Sequence, residues 1–455
     1  MIRLSLSGST LITCLLAALM ISPLQARQPA VYGPGHPFEL EHLPFGPLRD
    51  RLESLPGSAS SRAMAWLHRF SFTDQDLPFL RIDNDGAVFY ADSFNDTGTA
   101  DASSSDPVAP ATTLGTAEVF SLHSRPGATN ILFLDFDGHL ISGTAWSSTD
   151  LDARPYDIDN DPAGFSQAEI DNIAEIWRRI AEDFAPFDVD VTTEAPPAFG
   201  PTVGRVLITE DTDANGRAMP SQGAGGVAYV NVWGRSDFSS RYSPALVYFN
   251  NLGGGRADYV TEAASHEAGH NLGLSHDGTT AGVEYYGGHG SGLVSWAPIM
   301  GNSYNRNVTQ WSKGEYTNAN QTQDDLDIID GKLTYQADES NNSRASAFSL
   351  DVEADGTVIV SNPETDPHNV YPANKGVIND DTDTDFFSFE AGTGALTLTA
   401  NPAWDAWPRA TTRRGANLDV ELELQDNAGT TLIVDEPAPS SGHIDTKATI
   451  NYTIT

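Results

Sequence analysis

The sequence predicts a mixed α/β (α+β) unit with a twisted mixed sheet, followed by an all-β sandwich. Three observations lead there. Strong strand-like runs alternate with helix-period stretches between residues 117 and 336. A helical stretch near Val260–Leu272 comes after the last of those strands. Beyond residue 337 the pattern changes to short strands separated by Gly, Asp and Pro, the spacing of a small sandwich. The 455 residues are too many for one ordinary domain. No period of 20–50 residues suggests a repeat array.

In chain order, Arg3 precedes an apolar run from Leu11 to Ile21, which Pro23 breaks and Leu24-Gln25-Ala26 ends. This has the form of a secretory signal, residues 1–26, cut after Ala26. Residues 27–116 read as a pro-segment and linker. A short helix is expected near Ser60–Leu67. Two strands, Phe79–Ile82 and Ala87–Tyr90, flank the turn signal Asn84-Asp85-Gly86. Residues 94–113 are rich in Asp, Ser, Thr and Ala and read as an exposed linker. Asn130–Phe136 is a strong strand. Ser166 opens a helix with Glu169 three residues on, a capping box, and Ile170, Ile173, Ala174, Trp177, Ile180, Ala181 and Phe184 give it one buried face. Strands are expected at Phe187–Thr193, Arg205–Thr209, Gly226–Trp233 and Ala245–Phe249. Residues 310–334 read as a final helix and exit. Residues 337–455 carry the short strands, at Thr357–Ser361, Phe386–Phe389, Ala395–Thr399, Leu418–Leu424 and Thr431–Val434.

Charge and cysteine narrow the function classes. Sixty-two Asp+Glu against 25 Lys+Arg leave a net charge of −37. Such a surface repels phosphate backbones, so nucleic acid is not an expected partner. The only cysteine, Cys14, falls inside the signal, so the mature chain has no thiol for a disulfide, a nucleophile or a Cys-zinc site. No stretch after the signal is long and apolar enough to span a membrane. The product is expected to be secreted, soluble and monomeric. Asp211-Thr212-Asp213-Ala214-Asn215-Gly216 alternates oxygen ligands like the start of a calcium loop, which makes Ca2+ a second candidate ion. Position twelve is Gln222 rather than Glu, so this is not an EF-hand. Asp157–Asp161 is a weaker version of the same pattern.

The chemistry lies in Ser265-His266-Glu267-Ala268-Gly269-His270-Asn271-Leu272-Gly273-Leu274-Ser275-His276-Asp277. His266 and His270 are four apart and project from one face of a helix. Gly273 can take a left-handed conformation and end that helix, letting the chain return His276 as a third nitrogen. Three neutral imidazoles leave the fourth tetrahedral position of a Zn2+ ion for water, the arrangement of a catalytic site. Glu267 would stand beside that water as general base. A chance HExxH in a chain of this composition is roughly a one-in-a-hundred event, and adding Gly273 and His276 makes it far rarer.

HExxHxxGxxHD resembles the metzincin metallopeptidases. The expected Met-turn follows in Trp296-Ala297-Pro298-Ile299-Met300-Gly301. The resemblance implies a zincin-type catalytic domain over residues 117–336, with Met300 as an apolar floor beneath the three histidines. Asp277 looks like the reprolysin/adamalysin-type branch, where it would be structural. The tyrosine ligand that some metzincins add two residues after the Met is absent, since that position is Asn302. Ser124–Ala128, Ala185–Val191 and Trp311–Tyr316 are similar to an exported bacterial group of the same family. Gly226–Trp233 would be the edge strand that pairs with an extended substrate. His289, between the last ligand and the Met-turn, reads as a loop residue.

Residues 337–455 resemble the bacterial pre-peptidase C-terminal domain, chiefly at Asp383-Thr384-Asp385-Phe386-Phe387-Ser388-Phe389. The resemblance implies a β-sandwich whose acidic turn at Asp380–Asp385 could hold calcium. The chain stops at Tyr452–Thr455 without that module's usual closing strands, so an incomplete sandwich is expected. Together these features predict a secreted zinc endopeptidase acting on proteins or peptides. Two other readings stay open: a silent zinc-binding adhesion protein, and a zinc hydrolase of a non-peptide bond. Without a thiol, latency would come from a carboxylate or His of residues 27–115 on the zinc, or from a pro-segment that fills the cleft.

Overall fold

A computed structural model of the chain describes residues 2–5, 28–93, 114–337, 342–358, 374–403, 415–435 and 445–455. The expected cut after Ala26, the linker 94–113 and the end of the Thr357–Ser361 run lie outside them. Among the described residues no helix is long and apolar enough to cross a membrane.

The central feature is a seven-stranded mixed sheet. Its order is Leu80–Ile82, Val88–Asp92, Gly226–Tyr229, Ala245–Tyr248, Val203–Thr209, Asn130–Asp135, Val189–Thr192. The last four strands run parallel to one another, and the first three pairings are antiparallel. Val, Ile and Leu fill the parallel strands because helices and loops cover the sheet. Two long helices pack on it. Gln167–Asp183 starts at Ser166, whose backbone N–H and hydroxyl both donate to Glu169 Oε2 at 2.7 and 2.9 Å, the expected cap. The site helix, Ala257–Leu272, is buried along its whole length.

Two elements are shorter than their sequence suggests. The strand expected at the sheet's edge is third of seven, because Val88–Asp92 pairs on its outer side, and it ends at Tyr229 rather than Trp233 because the next backbone N–H groups turn to another task. Asn231 N–H donates to His270 O, and Val232 and Trp233 N–H to Asn271 O, satisfying carbonyls at the end of the site helix. The final helix covers only Asp325–Leu333. Val308–Gln310 is instead a strand parallel to Trp296–Pro298, and Gly314 and Asn318 take positive φ in the connecting loop.

Residues 28–93 do not stand apart. Helices Pro47–Ser54 and Gly57–Leu67 and the strands Leu80–Ile82 and Val88–Asp92 share one apolar core with the rest of the large sheet, from Tyr32 to Leu333. Beyond residue 342, strands Phe348–Ser349, Thr384–Ser388, Ile2–Ser5, Glu421–Gln425 and Thr431–Asp435 form one sheet in that order. Gly394–Ala400 pairs with Ala448–Ile454, and residues of both sheets meet in a cluster around Phe387, Leu422, Leu424 and Ile450. The N-terminal Ile2–Ser5, expected as the start of a signal, is thus an antiparallel strand between two strands of the C-terminal region.

Candidate metal centre

The site is assembled by one helix, its cap and two loops. Gly273 sits at φ 118°, in the left-handed region, and ends the site helix. Its N–H and that of Leu274 both donate to Gly269 O at 3.0 Å. The chain then returns so that His276 joins His266 and His270. Their ring centroids are 4.7, 5.1 and 5.3 Å apart, and all three are at most 6% exposed.

Each ring has its Nδ1 engaged. His266 meets Ile299 O at 2.9 Å, His270 meets Leu274 O at 2.9 Å, and His276 meets Glu284 Oε1 at 2.6 Å. Acceptors at Nδ1 place the ring proton there and leave the Nε2 lone pair free. The Nε2 atoms of His266 and His276 are buried and make no hydrogen bond. Orphaned buried nitrogens are costly, and these two, with His270 Nε2 facing the same point, fit a zinc ion in number and type. Burial pushes His266 down to about 3, the neutral form that a metal ligand requires.

A fourth group faces the same point. Asp92, at the end of the N-terminal strand, places Oδ2 3.1 Å from His270 Nε2 and 3.8 Å from His266 Nε2, and Oδ1 3.1 Å from His276 Nε2. The candidate ligand atoms of Asp92 and the three histidines lie within 4.8 Å of one another. Tyr285 OH donates to Asp92 Oδ1 at 2.8 Å. Burial opposes ionisation of Asp92, yet His276 and His270 outweigh it and hold the carboxyl well below the usual range. Burial likewise opposes the charged form of His276, but with no metal between them Asp92 and Glu284 together push it up to about 10; a metal ligated at Nε2 takes the place of that proton.

Glu267 lies beside this cluster, 1% exposed, with Oε2 unpartnered. Burial first, and the neighbouring Asp92 carboxylate second, push its carboxyl well above the ordinary range. Space for it comes from the strand Gly226–Tyr229. A Cβ on Gly226 would stand 2.1 Å from Glu267 Oε1. Met300 is fully buried under the helix, where a Cβ on Gly269 would meet its Sδ at 2.7 Å. Asp277 ties the return loop to the Met-turn through its backbone N–H, which donates to Met300 O at 2.9 Å. Its side chain accepts from Gln321 Nε2 at 2.9 Å and from Tyr316 OH at 3.4 Å.

The structure therefore brings together His266, Glu267, His270, His276, Gly273, Asp277 and Met300. His289 stands apart, against Trp296 and Tyr286. Sequence reasoning missed Asp92, Glu284 and Tyr285. Asp92 and His270 are 178 positions apart, and no local pattern links them. The candidate calcium loop is held by the chain's own donors. Asp213 accepts from the Asn215 and Arg217 N–H groups and pairs with the Arg217 guanidinium at 2.5 Å. Asp211 accepts from Asn250, Asn251 and Gly223. Asp157, Asp159 and Glu169 also come together, but Glu169 is engaged in the helix cap described above.

No curated protein and no solved structure matches the chain. Residues 190–277, from within the strand Val189–Thr192 to Asp277, match the family described as Metallo-peptidase family M12B Reprolysin-like. That stretch contains the three histidines and Glu267, so the site lies in a region similar to a reprolysin-like metallopeptidase domain.

Proposed function

We propose that the protein is a secreted zinc endopeptidase made as a pre-pro-enzyme. Residues 1–26 are the signal, 27–116 the pro-segment and linker, 117–336 the metzincin-type catalytic domain and 337–455 an appended β-module of pre-peptidase C-terminal type. The observation that carries this reading is the convergence of three Nε2 atoms, each ring's Nδ1 being engaged, beside a buried Glu267 and the strand Gly226–Tyr229. His266, His270 and His276 would hold the metal through Nε2. Bound there, zinc supplies a Lewis acid that polarises the peptide carbonyl and lowers the pKa of water toward ~7.

The chain's own residues do the rest. Gly226–Tyr229 offers backbone N–H and C=O groups to an extended substrate, which adds as an antiparallel strand. Glu267 accepts a proton from the attacking water as its oxygen bonds to the carbonyl carbon. It passes a proton to the departing amine as the C–N bond breaks. Its burial favours proton uptake, and the absence of a Cβ at Gly226 leaves room for the carboxylate to move between water and amine. Asp277 and Met300 position the return loop and the helix, and touch no substrate.

The test uses the chain without residues 1–26, carrying a specific protease site introduced within 94–113, and its Glu267→Ala variant. After the cut and removal of residues 28–93, the parent is expected to degrade unfolded casein. A chelator should abolish the activity and added zinc restore it. Glu267→Ala should lose roughly 10²–10⁴-fold in rate with zinc content unchanged. A cut parent, stripped of residues 28–93, that holds one zinc yet leaves casein intact would favour the silent binding protein.

A further inference from the structure

We propose that residues 28–93 are a built-in inhibitor, with Asp92 occupying the fourth position of the metal and the strand Val88–Asp92 occupying the substrate's place. This rests on the peptidase reading above and concerns how that site is held silent.

Two independent observations carry it. The first is at the metal. A catalytic zinc site keeps one position open, whereas four protein ligands close it. The carboxylate of Asp92 contacts the Nε2 of all three histidines and stands where water would have to enter. It also faces Glu267, so two carboxylates meet at one buried point. Like charges there are unfavourable, and a metal held by the imidazoles would relieve that repulsion, as would a proton on Glu267.

The second observation is at the strand Gly226–Tyr229. Gly226, Val227, Ala228 and Tyr229 pair antiparallel with Asp92, Ala91, Tyr90 and Phe89 in that order. One edge of a strand can pair with one neighbour only. A substrate that adds to Gly226–Tyr229 must displace Val88–Asp92 first. The strand is secured by side chains on both of its flanks. Tyr90 stacks on His270 at 4.1 Å and 14° and donates its hydroxyl to Asp76 Oδ1 at 2.9 Å. Asp76, fully buried, also accepts from the His276 N–H at 3.2 Å. Further off, Gln75 Nε2 donates to Thr279 O at 2.7 Å and Trp66 Nε1 to Val230 O at 2.9 Å. The segment thus grips the ligand loop and the end of the strand Gly226–Tyr229 as well as the metal.

The device needs no thiol, which suits a chain whose single cysteine is Cys14. Release requires that Val88–Asp92 leave the sheet. Asp92 then departs, one position opens, and Glu267 loses its negative neighbour.

The test loads the chain lacking residues 1–26 with Co2+ and follows its visible absorption during titration with acetohydroxamate, which binds an open metal position. The uncut parent is expected not to respond. Asp92→Asn, which keeps the side chain's size, is expected to respond and to bind Zn2+ roughly tenfold or more weakly in competition with a chromophoric chelator. With zinc it should still spare casein while uncut, since Val88–Asp92 keeps its place on Gly226–Tyr229; cleavage by the uncut variant would overturn the strand's part in the block. A parent that responds to acetohydroxamate as Asp92→Asn does overturns the latch but leaves the peptidase reading intact. If Asp92→Asn responds, but a parent cut within 94–113 and stripped of residues 28–93 leaves casein intact, the peptidase reading fails and the inhibitor reading with it. Should Asp92→Asn not fold, the parent titration alone decides whether the fourth position is closed.

Discussion

Two glycines define the space in which the histidines and Glu267 work. Gly226 is required by the Glu267 carboxylate, and Gly269 by the Met300 sulfur. Gly226→Ala is expected to force Glu267 aside by an ångström or more. Misplacement of that size costs about 10²-fold in rate, so kcat/KM of the activated enzyme should fall by roughly that factor while bound zinc stays the same. An unchanged rate would mean that Glu267 has somewhere else to stand. At this scale the sequence is legible where the chemistry is local. His266, Glu267 and His270 lie within one and a half turns of a helix, and Gly273 and His276 follow within two more turn lengths. Glu284 and Tyr285 were within sight of the motif but unmarked, because a Glu that orients a ligand has no spacing rule. Asp92 could be anticipated only by class, as a carboxylate of residues 27–115, and not by number. It is one of many aspartates in an acidic chain, and only strand pairing singles it out.

Elements were legible in kind more than in length. Helix Gln167–Asp183 declares itself by its cap and apolar stripe. The site helix has no such stripe, since every face is buried, and it was found through its histidines. The two helices also share an acidic contact that periodicity does not reveal. Asp183, on the first, accepts from Ser265 Oγ, and Glu262, on the second, accepts from Ser303 Oγ at 2.5 Å. Burial pushes Glu262 up to about 7, with Ser303 and Arg179 acting in the other direction. The unfolded chain would titrate this group near ~4.3. Between those values the folded state holds a proton that the unfolded state has released. Stability contributed by neutral Glu262 is therefore present below about 4.3 and is lost as pH rises towards 7. Melting temperature measured across that window should fall more steeply for the parent than for Glu262→Gln. Parallel slopes would place the loss on other groups.

For the whole molecule, net charge and shared core pull in opposite directions. A charge of −37 destabilises the compact state by self-repulsion. Screening shortens from ~30 Å at 0.01 M salt to ~3 Å at 1 M. The melting temperature is accordingly expected to rise over that range of NaCl, and a flat or falling profile would show that the acidic groups are already locally neutralised. The core works the other way, joining residues 28–93 to the large sheet. Composition placed the boundary near residue 116 and could not show that the segment before it supplies two strands to the sheet that holds the site. Strand order is long-range information, and nothing in the alternation of Leu80–Ile82 or Val88–Asp92 names Gly226–Tyr229 as their neighbour.

The pairing of Gly226 with Asp92 makes the strand Gly226–Tyr229 a ruler. Any extended chain that replaces Val88–Asp92 is read from the same zero mark, and the residue opposite Gly226 is delivered to the metal whatever its side chain. Side chains on a strand alternate between faces, so the residue two places before that mark arrives over His270, where Tyr90 now lies. Where the chain is cut then becomes a matter of counting along a backbone, and selectivity falls to the residue at that second graduation.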